Sequence, residues 1–333
     1  MMSSAPRAAL LARAIWIVAA AWAGIAQAQQ AAPDDAVHWL SKIYQATQKL
    51  SYSGTFVYQQ GNHSETSRIV RRVAERGSIE KLEALDGAPR EVLRTEDEVK
   101  CYLPGRRTVK IDRRGDRRAF PALLPAQIGA LEENYIISKG EITRVAGYEC
   151  QAILLKPKDD LRYGYKLWAD LATGMLLKAV TLDEDGKSLE QFTFTQLAIG
   201  PVPLSEVRPP QTPSSWHVED ADVMPVDLRT TGWSVSPDLP GFKKIIEVKR
   251  KIHESRQVDQ VVYSDGLAAV SVFIELPPAG GKRQRMGLSS LGAINIYTRE
   301  VADHVVTVVG EAPAVSVRRI ADSVQFHPPH GSR

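Results

Sequence analysis

Few residues in this chain have the types and spacing that covalent chemistry needs, and none is placed for it. Ser78-Ile79-Glu80-Lys81 fits the S-x-x-K spacing of a serine–lysine pair. It sits in a two-residue alternation, however, and residues three apart on a strand point to opposite faces. Gly287–Gly292, "GLSSLG", approximates a G-x-S-x-G elbow but has no helical pattern behind it, so it reads as a turn entering a strand at Leu291. H-E-x-x-H and the phosphate-cradling G-x-x-x-x-G-K-S/T do not occur. The seven histidines are dispersed. His38 rides on a helix beside Trp39, and His327 and His330 fall in the C-terminal tail. His217, Glu219, Asp220 and Asp222 are metal-ligand types, but they follow a proline-rich stretch and read as a solvated acidic segment. These residues point away from an enzyme and away from any metal or cofactor.

The chemistry that remains is electrostatic and apolar. "RRTVKIDRRGDRR" sets seven cations against Asp112 and Asp116. Its Arg106, Arg107, Arg113, Arg114, Arg117 and Arg118 form a basic rim. It opens directly on "FPALLP", with Phe120, Leu123 and Leu124, and then on Ile128. That arrangement suits an anionic amphiphile, with guanidinium forks on its phosphates and its acyl chains under cover. A solvated loop with its charges turned outward is the plainer alternative, and both readings stay open. Arg68, Arg71, Arg72 and Arg76 form a second, weaker cluster with the same two readings.

Arg7 and Arg13, the apolar run Ala14–Ile25 and the small-x-small triplet Ala26-Gln27-Ala28 read as a signal peptide over residues 1–28, cleaved before Gln29. The apolar run is shorter than the roughly 20 residues a membrane span needs. Export without an anchor means the periplasm or the medium. Loss of Arg7 and Arg13 lowers the formal charge from +3 to +1, which leaves no nucleic-acid footprint. In an oxidising compartment the two cysteines, Cys101 and Cys150, are expected to pair. Closing that loop would contribute about 4 kcal/mol in the chain-entropy model. Two buried free thiols are the alternative.

A helix is expected over Asp34–Leu50, with Val37, Leu40, Ile43, Tyr44 and Leu50 at helical spacing. Eleven short alternating runs follow, from Ser53–Gln59 to Ser188–Leu197, separated by turn residues such as Gly61-Asn62 and Asp86-Gly87. Consecutive strands with tight turns make an antiparallel meander. The fold class is mainly β with α+β character: a large half-open antiparallel barrel, residues 29–198, wrapped on the helix. Five prolines between Ile199 and Trp216 mark a stiff linker, residues 199–216, where two domains could change orientation. Residues 217–333 form a smaller α+β domain, closed by a helix that starts at Pro313 and carries Val317, Ile320 and Val324 on one face. Within it, "VVYSDGLAAVSVFIE" (261–275) is a hairpin on an Asp265-Gly266 type I′ turn. Its second strand is apolar on both faces, which a half-solvated sheet does not require.

Five stretches carry a family resemblance: "DAVHWLSKIYQATQKLSYSGTFVYQQG" (35–61), "YGYKLWADLATGMLLKAVTLDEDGKSLEQFTFTQL" (163–197), "TGWSVSPDLPGFKK" (231–244), the hairpin 261–275, and "VVTVVGEAPAVSVRRIADSV" (305–324). Together they resemble the MucB/RseB family, periplasmic regulators of the sigma-E envelope-stress pathway. The resemblance implies a lipoprotein-carrier-like half-barrel and a smaller domain. It also implies a partner, the periplasmic domain of a transmembrane anti-sigma factor, which the regulator shields from the site-1 protease. Release would come from lipopolysaccharide or from the acyl chains of mislocalised lipoproteins. On that basis Tyr263, Leu267, Val270 and Phe273 are candidate partner-facing residues, with contact to the large domain and full burial of the sheet within its own small domain as the alternatives. A periplasmic lipid or lipoprotein carrier is the rival reading, and a homo-oligomer stays open.

Overall fold

The computed structural model describes residues 33–113, 124, 125, 127–220, 223–253, 256–277 and 285–328. The signal-peptide residues therefore lie outside the described residues, as do Arg114, Arg117, Arg118, Phe120, Leu123, Asp222 and His330.

Helix α1 (Pro33–Lys49) forms where the apolar period is helical. It buries Ala36, Leu40, Ile43 and Ala46, a single stripe, and ends with Lys49 against the negative end of its dipole. The chain then switches to period two. It runs through β1 (Tyr52–Gln60), β2 (His63–Ala74), β3 (Gly77–Ala84), β4 (Glu91–Arg94), β5 (Val99–Leu103) and β6 (Thr108–Asp112). After the short α2 (Leu131–Asn134) come β7 (Tyr135–Val145), β8 (Tyr148–Pro157), β9 (Gly164–Asp170), β10 (Leu176–Leu182) and β11 (Ser188–Ile199). These eleven strands match the alternating runs of the sequence. A twelfth, β12 (His217–Asp220), adds in parallel to β6, so the first residues assigned to the small domain belong to the large sheet.

The strand order is β12-β6-β5-β4-β3-β2-β1-β11-β10-β9-β8-β7. β12 and β7 are not paired with each other, so the sheet is half-open and no closed barrel forms. One face, here the inner face, takes α1 across β7, β8 and β10. Leu40 and Ile43 meet Tyr52, Phe56, Ile69, Ile153, Leu167, Phe192 and Phe194 there. Gly54 on β1 is required by packing, since a Cβ at that position would lie 2.8 Å from the Phe194 ring.

The second sheet is built from β13 (Val223–Pro225), β15 (Lys243–His253), β16 (Arg256–Ser264), β17 (Ala269–Glu275), β18 (Gly287–Leu291), β19 (Ile294–Val301) and β20 (His304–Gly310). Their order is β13-β15-β16-β17-β20-β19-β18. Helix α3 (Ala314–Asp322) lies across β17, β19 and β20, with Val317, Ile320 and Ala321 fully buried. Val324, expected on that helix, lies one element further on in β21 (Val324–Phe326), which pairs with β14 (Trp233–Val235).

Two further expectations change. The cysteines are both free: Cys101 is on β5 and Cys150 on β8, with seven strands between them in the sheet order. The proline-rich segment is a strap rather than a free hinge. Val202 and Val207 pack on Val70 and Ile79 of the outer face. Arg72 Nη1 donates to the Val202 carbonyl at 2.5 Å, and Arg68 pairs with Glu206 at 2.8 Å.

Candidate functional site

The hairpin 261–275 is where the two domains lock. β16 ends at Ser264 and β17 begins at Ala269, so Asp265–Ala268 is a four-residue loop. It is not the expected two-residue type I′ turn, since Gly266 has positive φ and Asp265 does not. The loop is held by the Asp265 carboxylate, whose Oδ1 accepts from the backbone N–H groups of Leu267 at 2.9 Å and Ala268 at 2.8 Å. Its Oδ2 accepts from Tyr135 Oη and from Arg162 Nη1, both at 3.0 Å. Arg162 and Asp265 side chains are both fully buried.

Arg162 comes from the loop between β8 and β9. It forks onto Asp159, Nε to Oδ1 at 2.9 Å and Nη2 to Oδ2 at 3.1 Å, and also donates to the Pro240 carbonyl at 2.6 Å. The guanidinium lies 5.2 Å from the Phe242 ring centre. Neighbouring contacts repeat the lock. Leu161 packs within the small domain's core, and its carbonyl accepts from Ser316 Oγ at 2.7 Å. Asn295 Nδ2 donates to Tyr163 Oη at 2.9 Å, and Gln60 Nε2 to the Leu291 carbonyl at 3.1 Å. Reciprocally, Leu267 packs on the large domain's core.

One face of the hairpin is thereby accounted for, and the loop at its tip. Val270, Val272 and Ile274 face α3, with Tyr263 donating from Oη to the Val235 carbonyl at 2.7 Å. Tyr263 and Val270 are core residues of the small domain, since 6% and 0% exposure leaves them no surface for a partner. Leu267 serves the domain interface. Phe273, on the opposite face of β17, is half-buried and belongs to none of the apolar clusters formed by the described residues. It is the one of the four with a free face.

Of the basic rim only Arg106, Arg107 and Arg113 lie among the described residues, the first two before β6 and the third after it. Arg106 and Arg107 are exposed at a turn where Arg107 has φ +49°, and the Arg107 carbonyl accepts from the His217 N–H. Arg113 pairs with Asp220 and lies 3.9 Å from Glu98, and Lys110 pairs with Glu219 at 3.0 Å. These pairs dock β12 on β6, and they occupy the acidic side chains read as solvated. Leu124 and Ile128 are buried in the large core. Arg71 belongs to a site the sequence did not reveal. On the inner face it pairs with Glu80, which also binds Arg94. A run of charged residues in alternation signals a solvated face, and only long-range packing shows that this row turns inward.

Comparison with known proteins gives this geometry its context. The profile of the MucB/RseB N-terminal domain matches residues 35–216, and that of the MucB/RseB C-terminal domain matches residues 227–325. The sigma factor AlgU regulatory protein MucB of Pseudomonas aeruginosa is 32% identical over 300 residues, 87% of this chain and 91% of that protein. The sigma-E factor regulatory protein RseB of Escherichia coli K12 is 25% identical over 293 residues, 86% of this chain and 89% of its own. The crystal structure of MucB in complex with MucA(peri) superposes with a TM-score of 0.66 at 30% identity, covering 88% of this chain and 99% of that one. The MucA/MucB complex of Pseudomonas aeruginosa gives 0.68 at 29% identity, covering 88% and 99%. With both domains matched in order, and with a relative similar along almost its whole length, the chain belongs to the MucB/RseB family of sigma-factor regulatory proteins.

Proposed function

We propose that this protein is a periplasmic regulator that binds the periplasmic domain of a membrane anti-sigma factor and shields it from proteolysis. The observation that carries the reading is the likeness of both domains, in order, to MucB solved in complex with MucA(peri). Residues 1–28 act as the cleaved export signal. The locked interface supports a composite binding surface: a partner meets two domains in one fixed arrangement, and of the four hairpin candidates Phe273 is the one left outside both cores among the described residues.

Release by an amphiphile follows from linkage. A ligand displaces the partner only to the extent that it prefers the partner-free arrangement. The half-open sheet, covered by one helix on part of its inner face, supports an apolar ligand there. The test is capture of the host's anti-sigma periplasmic domain by residues 29–333, with and without lipopolysaccharide. Binding that lipid reverses supports both halves of the proposal. Absence of binding under either condition refutes the regulator reading.

A further inference from the structure

The inner face of β2–β4 holds a charge cluster that the domain interface does not use. Strand register places Tyr52 opposite Arg71, Arg71 opposite Glu80, and Glu80 opposite Arg94. Glu80 is 5% exposed, and Tyr52 is fully buried. Arg71 Nη1 lies 3.5 Å from Glu80 Oε2, and Arg94 Nη1 donates to Oε1. One carboxylate therefore answers two guanidinium groups. The cluster carries a surplus of one positive charge, next to the apolar side chains of Ile69, Leu82 and Val92 on the same face.

Three polar atoms of this cluster are buried with no hydrogen-bond partner: Tyr52 Oη, Arg71 Nε and Arg94 Nε. All three are donors. Tyr52 remains a phenol, because burial and then the charge of Glu80 push its ionisation well above the usual range. Burial also pushes the Glu80 carboxyl up, against the pull of Arg94 and Arg71, so the resident counter-charge is itself held at a cost. A neutral polar group would satisfy the donors and leave the surplus charge. A single anionic group satisfies both, and apolar neighbours favour one that ends an apolar chain.

We infer that Tyr52, Arg71 and Arg94 form a subsite for a monoanionic oxyacid group, a carboxylate or phosphodiester, at the end of an apolar chain, with Glu80 as the internal anion it competes with. This rests on the amphiphile half of the proposed function and names its polar anchor. It also moves that anchor away from the Arg106–Arg118 rim.

The test is calorimetric titration of residues 29–333 with laurate, dodecanol and acetate. Laurate should bind about tenfold or more tightly than dodecanol, the factor that one hydrogen bond to a charged group supplies. Acetate should bind far more weakly than laurate. Tyr52→Phe removes only the unpartnered hydroxyl and keeps the ring's edge contact with Phe194, so the melting temperature should not fall. It should cut laurate affinity severalfold and leave dodecanol unchanged. Glu80→Gln removes the competing anion and should tighten laurate, a direction that a merely structural role cannot produce. Equal binding of laurate and dodecanol, or equal losses for both in Tyr52→Phe, overturns the subsite while leaving an apolar cavity. Acetate binding as tightly as laurate refutes the apolar chain. No binding of any of the three overturns the inference without touching the partner-capture result.

Discussion

Replacing Asp265 by Asn separates the two roles of this carboxylate. The amide oxygen still accepts from the Leu267 and Ala268 N–H groups, so the loop keeps its local bonds. The amide nitrogen takes the place of Oδ2 and presents a donor to Arg162 Nη1 and Tyr135 Oη, both of which now donate at 3.0 Å. The change therefore breaks the ion pair between the domains and spares the turn. Both side chains are fully buried, so the cost is that of uncoupling a buried pair, about 3–5 kcal/mol at the upper end. Asp159 still bonds the guanidinium through two contacts, which moves the expectation toward about 3 kcal/mol. At roughly 2–4 °C per kcal/mol for a protein of this size, the melting temperature should fall by about 6–12 °C. The assay is differential scanning calorimetry of residues 29–333. Because the interface then fails before the cores, a single transition should split in two. Arg162→Met combined with Asp265→Asn removes both charges. It should cost less than the two single variants added together, by about 0.5–3 kcal/mol. A fall below about 2 °C for Asp265→Asn, with strict additivity in the double variant, would refute the claim that this pair locks the domains.

Other consequences are equally direct. Reducing agent should leave the melting temperature unchanged, since neither cysteine is paired. A drop of the size that loss of a 4 kcal/mol cross-link causes would overturn the topology. The Cys150 thiol, pushed up to about 11 by burial and then by Asp170, should react with alkylating reagents at pH 8 about a hundredfold more slowly than an ordinary thiol; mass spectrometry of the labelled native protein measures this. Val207→Ala should loosen the strap at a cost of about 2 kcal/mol and speed proteolytic cleavage within residues 199–216; unchanged cleavage rates would make the strap incidental. Phe273→Ala should weaken anti-sigma capture at least tenfold, and an unchanged affinity in a folded variant removes it from the partner surface.

What the sequence shows is local, and what it hides is long-range. Period-two alternation and turn residues place β1–β11 almost where they stand, because a strand between two turns is decided by its nearest neighbours. The same alternation says which residues share a face but not which face is covered. Nothing in the alternation therefore joins Arg71 to Glu80 and Arg94 in one inward row, although Glu80 is 5% exposed. β12 is missed for the same reason: its bonds are to β6, and a four-residue strand has no signal apart from that partner. Asp265 is the clearest case. Asp-Gly is a turn dipeptide, and it does lie in the connection between two strands. Its carboxylate, however, is chosen by Arg162, 103 residues away. The apolar second face of β17 did not announce that contact: of its side only the loop residue Leu267 packs on the large domain, while Phe273 stays half-buried. An acidic turn residue beside such a strand is costly to bury unless a cation comes with it. The burial of Asp265 and the identity of its cation are both long-range facts, and a turn dipeptide carries neither.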